Sequence, residues 1–119
     1  MYELPKRIII KNKLEFNKVY RNGCSYVNHS LIIHVVKSEG IKGKIGFAVG
    51  KKLGNAVVRN RIKRLLREAY RNLRHYINQD VSIILIARQP LINAKCDTVI
   101  RAFRHLCYKA KILQRRNGE

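Results

Sequence analysis

Acidic side chains are scarce in this chain of 119 residues. Seven Asp and Glu face twenty-six Lys and Arg, a formal charge of +19 with a pI near 10.5. Self-repulsion of that size works against a compact monomer, so a polyanionic partner is expected, nucleic acid ahead of an anionic membrane surface. The acids (Glu3, Glu15, Glu39, Glu68, Asp80, Asp97 and Glu119) stand singly, with no DxD or ExxE-like cluster. The histidines His29, His34, His75 and His105 form no HxH or HExxH arrangement. Phosphodiester hydrolysis commonly takes two metals held by several carboxylates, or a paired general acid and base. Neither stands out along the chain, although distant residues can converge in space.

Cysteine is also sparse. Cys24, Cys96 and Cys107 are odd in number, widely spaced and without a CxxC pair, which argues against a disulfide framework or a zinc site and for no disulfide partner. No run approaches the roughly 18 apolar residues of a membrane span. Ile8-Ile9-Ile10 falls short of the about 7–15 apolar residues of a signal peptide. A cytoplasmic protein without a membrane partner is therefore expected. Repeats and low-complexity linkers are absent, and 46% hydrophobic residues suffice for one modest core. The expectation is a single domain over 1–119, with a basic arm at 1–12, where Pro5 discourages regular structure, and a frayed tail at 115–119.

What is there reads as alternating helices and strands. Leu14, Phe16, Val19 and Tyr20 suggest a short helix over 13–21, stopped by Asn22-Gly23. Residues 30–37 form a β-branched strand. In 44–51, Ile45, Phe47 and Val49 alternate with Gly46, Ala48 and Gly50, so the large residues belong to the core and the small face admits a close neighbour. Asn55 can cap a helix to about residue 74, with Val58, Ile62, Leu65, Leu66, Ala69 and Leu73 on one stripe. A buried strand spans 80–88. From Asn93, a second possible cap, a last helix aligns Val99, Phe103, Leu106 and Leu113. The order (helix, two or more strands, helix, strand, helix) is that of an α+β sandwich with helices against one sheet.

The most informative segment is 51–74. It carries Lys51, Lys52, Arg59, Arg61, Lys63, Arg64, Arg67, Arg71 and Arg74 against the single acid Glu68. Arg59, Lys63, Arg67 and Arg71 recur every fourth residue and form one ridge, flanked by Arg64 and Arg74. Like charges at that spacing weaken an isolated helix by a few tenths of a kcal/mol per pair. Solvated faces normally mix signs, so this one is held for an anionic ligand. Arginine outnumbers lysine on it, which suits bidentate phosphate contacts. Phe16 and Tyr20, four apart with Lys18 and Arg21 near, admit two readings: core packing, or the aromatic-plus-cation grip used on single strands.

The string KKLGNAVVRNRIKRLLRE from Lys51 to Glu68 resembles the signature of the bacterial ribonuclease P protein component, centred on Arg-Asn-Arg followed by Lys-Arg and Arg-Glu. Glu15-Phe16-Asn17-Lys18-Val19-Tyr20 with Gly23 resembles that family's first helix and turn. Ile86-Ala87-Arg88 and the final helix fall where the family has them. Nearly the whole chain is covered.

The resemblance implies a two-layer αβ sandwich like the second domain of ribosomal protein S5, with a left-handed βαβ crossover where handedness rules favour a right-handed one. It implies an endoribonuclease subunit in a ribonucleoprotein that removes the 5′ leader of precursor tRNA. The catalytic centre would lie in the RNA, with Mg²⁺ held mainly by that RNA and no protein residue catalytic. Lys51, Lys52, Asn55, Arg59, Asn60, Arg61, Lys63 and Arg64 are then expected on the catalytic RNA. Phe16, Tyr20, His34, Lys63 and Arg67 are expected to line the leader cleft. His34 stands where the family often has tyrosine, and a histidine offers less apolar area for stacking. A ribosomal protein would suit composition and size equally but has no need of a leader-gripping cleft. A cationic membrane-surface helix is disfavoured because the face opposite the charges is apolar enough for a core, and a sequence-specific DNA binder shows no helix-turn-helix or zinc spacing.

Overall fold

The computed structural model describes residues 4–10, 13–21, 23–37, 43–78 and 80–114. Its elements are α1 (Lys13–Arg21), β1 (Cys24–Val27), β2 (Leu31–Val36), β3 (Ile45–Ala48), α2 (Ala56–Leu73), β4 (Ser82–Ala87) and α3 (Cys96–Lys109). The four strands make one sheet in the order β1-β2-β4-β3. β1 and β4 each pair antiparallel with β2, while β3 pairs parallel with β4 and is joined to it through α2.

Alternation along the strands sorts the core into two parts. Leu31, Ile33 and Val35 of β2, with Ile83 and Leu85 of β4 and Ile45 of β3, meet α2 and α3. From α2 come Ile62, Leu66, Ala69, Tyr70 and Leu73, and from α3 Val99, Phe103, Leu106 and Cys107. Each large side chain so buried stabilises by about 1.5–3 kcal/mol, so this layer carries most of the fold. The other sheet face holds a smaller cluster. Val36 and Ile84 lie there under Phe16 of α1, with Ile10, Ala48 and Ile86 around them. The mixed α+β architecture is thus a sandwich of sheet on α2 and α3, with α1 across the opposite face of β2 and β4.

The Asn55 cap is present: its side-chain oxygen accepts from the Val58 amide at 3.0 Å. Several local expectations give way to tertiary structure. β1 adds a strand that its mostly exposed residues do not advertise. β3 stops at Ala48, because Lys51–Leu53 turn as a 3-10 helix ahead of Gly54. Asn93 does not cap α3. Pro90 starts a 3-10 segment, Gln89–Asn93, and α3 begins at Cys96 without any side-chain cap. α3 ends at Lys109, so Leu113 lies beyond it and forms an antiparallel bridge with Ile77. Within the basic arm, Lys6–Ile8 form a 3-10 turn, Ile9 bridges in parallel to Ile45, and the Ile10 amide donates to the Ile45 carbonyl at 2.7 Å. That arm is the close neighbour for which Gly46 leaves room, since a Cβ there would sit 3.3 Å from Ile10 Cδ1. Asn22 and the tail at 115–119 lie outside the described residues.

Candidate nucleic-acid interface

Two surfaces matter, one on each side of the sheet. The first is built by α1. Residues 16 and 20 are one helical turn apart, so both rings come down on the same side of α1, over β2. Phe16 is half-buried against the small cluster, and its ring lies 6.4 Å from Tyr20, 11° from parallel. Tyr20 in turn lies on His34, centroids 4.7 Å apart and planes 18° apart. Tyr20 remains 52% exposed while His34 is only 5% exposed. The imidazole is held from the neighbouring strand, with Ser25 Oγ 2.7 Å from its Nδ1, and its buried Nε2 has no hydrogen-bond partner. Gly23 permits this packing: a Cβ there would collide with the Val35 carbonyl and come within 2.6 Å of Val36 Cγ2 and 2.9 Å of His34 Nε2. The expected cleft residue His34 is therefore a support beneath Tyr20, not an exposed surface of its own.

The second surface is the start of α2. Lys51, Lys52, Asn60, Arg61 and Arg64 are exposed, and Arg59 and Lys63 are half-buried. No acid stands in the first turn, so the positive end of the helix dipole adds to these side chains. Asn55 spends its carbonyl oxygen on the cap. Gly54 makes that cap possible, because its φ of +147° is one that side-chain-bearing residues rarely adopt, and a Cβ would sit 2.9 Å from the Val58 side chain. Arg61 is exposed yet anchored, donating to the carbonyls of Ile92 at 2.7 Å and Ala94 at 3.1 Å. Arg59 Nε is buried without a hydrogen-bond partner. The far end of the ridge is partly neutralised, since Arg71 pairs with Glu68 at 2.7 Å.

The expected leader set divides accordingly. Phe16, Tyr20 and His34 come together, whereas Arg67 lies with its guanidinium carbon 5.8 Å from the Phe47 ring centroid. Phe47 packs with the main core, on the sheet face opposite His34. Lys63 and Arg67 thus stand on the α2 side of the edge strand β3, not directly across from the aromatic column. Ser25 carries no sequence pattern that marks it for a site, Phe47 reads only as a core residue of an alternating strand, and Gly23, next to Asn22, reads as a helix stop. Among the described residues no three His, Cys, Asp or Glu side chains converge to hold a metal ion. No helix among them is long and apolar enough to cross a membrane.

A sheet with a cationic helix on one side and an aromatic column on the other defines a mixed αβ protein with a strongly basic surface. The family follows from comparison with known proteins: a model described as ribonuclease P matches residues 4–111, and the chain belongs to that family. The ribonuclease P protein component of Oceanobacillus iheyensis is 38% identical over 112 residues, covering 93% of each chain. That of Symbiobacterium thermophilum is 40% identical over 113 residues, 94% of this chain and 98% of the relative. Among solved structures, the Staphylococcus aureus RNase P protein superposes with a TM-score of 0.79 at 32% identity, covering 90% of this chain and 98% of that one. The Thermotoga maritima protein gives 0.74 at 25% identity, covering 84% and 94%. Membership makes this chain a component of a ribonuclease ribonucleoprotein of tRNA processing, with RNA as its partner.

Proposed function

We propose that this chain assists a catalytic ribonuclease P RNA in removing the 5′ leader from precursor tRNA, by gripping the leader on α1 and docking on the RNA through the start of α2. The observation that carries the reading is the near-parallel column Phe16–Tyr20–His34, whose outer member, Tyr20, stays half exposed. An aromatic ring held flat on a buried support is pre-organised for a base to stack, whatever its identity. His34 acts as a positioning residue for Tyr20. Lys51, Lys52, Arg59, Arg61, Lys63 and Arg64 neutralise phosphates of the catalytic RNA, the Asn60 amide hydrogen-bonds to that RNA, and Asn55 sets the helix start. Lys63 and Arg67 draw the leader's phosphates around the β3 edge.

On this reading the chain does no bond-breaking chemistry. Mg²⁺ belongs to the RNA, and the protein's contribution is affinity and position. The cytoplasm, where precursor tRNA is made, is its proposed location. The test is reconstitution with Mg²⁺ present. Protein alone should leave precursor tRNA intact, and addition of a ribonuclease P RNA should produce cleavage at the leader junction. A photoreactive base in the leader should then crosslink to the 16–20 segment. Specific cleavage by RNA-free protein, or crosslinks confined to α2, would contradict the assignment.

A further inference from the structure

A second aromatic site lies on the helix layer, across the sheet from Phe16 and Tyr20. Where the end of α2 meets the end of α3, a groove of about 640 Å³ opens between Asn72, Tyr76, Arg104, Tyr108 and Gln114, over an apolar floor of Leu73 and Leu113. That volume falls within the range of about 300–1,000 Å³ typical of small-molecule sites. The fold builds it with a specific device. After α3, Lys111 adopts φ +57°, the chain reverses, Leu113 bridges to Ile77, and the Gln114 amide donates to the Tyr76 carbonyl at 2.6 Å. The reversal makes Leu113 and Gln114 part of the groove's lining. Tyr108 is 76% exposed, so core packing does not account for it.

We propose that this groove takes one unstacked base of a single-stranded RNA segment, with Tyr108 and Tyr76 offering ring surface, Asn72 and Gln114 offering amides to the base edge, and Arg104 meeting the adjoining phosphate. The proposal adds an RNA contact to those of α1 and the start of α2 and does not depend on either. Charge selects the occupant. A neighbouring depression of about 420 Å³ shares Asn72 and Arg104 with the groove and adds Arg101, with Asp97 as its single acid. A polyanionic strand entering there is led by two arginines to the aromatic end. Aromatic faces with an arginine and amides are the chemistry that holds an unpaired base in a strand.

The chain contains no tryptophan, so Tyr108→Trp places a single fluorescent reporter in the groove. An oligoadenylate of about ten nucleotides, within the span of a single-strand site, should quench it saturably. An abasic strand of equal length, binding through the same phosphates, should leave the emission unchanged. The quenching should persist when Tyr20→Ala is added, which separates this site from the α1 column. In that Tyr20→Ala background, Tyr108→Ala should weaken oligoadenylate binding by about 5- to 150-fold, and Tyr108→Phe should retain it. Unquenched emission while anisotropy of the labelled strand reports saturation would overturn the proposal. So would equal quenching by the abasic strand, or unchanged affinity in Tyr108→Ala.

Discussion

The guanidinium of Arg61 donates to the Ile92 carbonyl at 2.7 Å, tying the first half of α2 to the segment that leads into α3. A second donation, to Ala94, makes the contact a clamp. Arg61 therefore belongs both to the basic surface and to the scaffold that holds it. Arg64, three residues on, is exposed and has no such anchorage among the described residues.

Replacing Arg61 by Ala should lower stability by about 1–2 kcal/mol, since charge-assisted hydrogen bonds to carbonyls are lost from a partly solvated site. Arg64→Ala should stay within about 0.5 kcal/mol of the parent. Every RNA phosphate that a substitution leaves without its cation should flatten the slope of log K against log salt by roughly 0.7–0.9. Urea denaturation alongside a salt titration of RNA binding checks both, and equal stabilities would remove Arg61 from the scaffold.

Asn55 and Gly54 allow a similar separation at the mouth of α2. Asn55→Ala should cost about 1 kcal/mol, while Asn55→Asp keeps the cap and the fold. The Asp variant introduces a negative charge beside the basic cluster and should bind RNA less tightly at unchanged melting temperature. Gly54→Ala should destabilise by about 1–3 kcal/mol because φ +147° is closed to Ala and Val58 blocks the Cβ. If Asn55→Asp melts early with unaltered RNA affinity, Asn55 has no part in the interface.

Burial pushes the Cys107 thiol up from its ordinary 9.0 to about 12, and burial likewise raises Tyr70, with Arg74 opposing. A group whose folded pKa is raised contributes stability that is complete below its unfolded pKa and is lost as pH climbs to the folded value. The denaturation midpoint should therefore fall between about pH 9 and 12. Cys107→Ala should cost about 1 kcal/mol at neutral pH and make that fall shallower. A slope identical to the parent's would mean that Cys107 ionises as freely folded as unfolded.

The parts of the fold legible in the sequence are those fixed by local periodicity. The Asn55 cap, the Ile62–Leu66–Ala69–Leu73 stripe and the Phe16/Tyr20 spacing all follow from one helical repeat, and each is present. β1 is not legible because an edge strand with mostly exposed residues has no alternation to display. Asn93 has the chemistry of a cap, but Pro90 sets up a 3-10 turn that delays α3 to Cys96. The bare face of β3 does admit a close neighbour, as its small residues suggest. Its occupant, Ile10, comes from a distant arm that periodicity cannot pair with Gly46. The candidate site divides in the same way. The basic helix is visible in the sequence, whereas the burial of His34 under Tyr20 and the separation of Arg67 from the aromatics are long-range facts.

The measurement that bears most directly on leader gripping is the affinity of Tyr20→Ala, assembled with a ribonuclease P RNA, for precursor and mature tRNA. Loss of one stacked base should raise the dissociation constant for precursor tRNA by roughly 5- to 150-fold. Mature tRNA has no leader and should bind as before. Melting temperature should change little, since Tyr20 is half exposed. Equal losses for both tRNAs, accompanied by a lowered melting temperature, would contradict the account and make Tyr20 a packing residue.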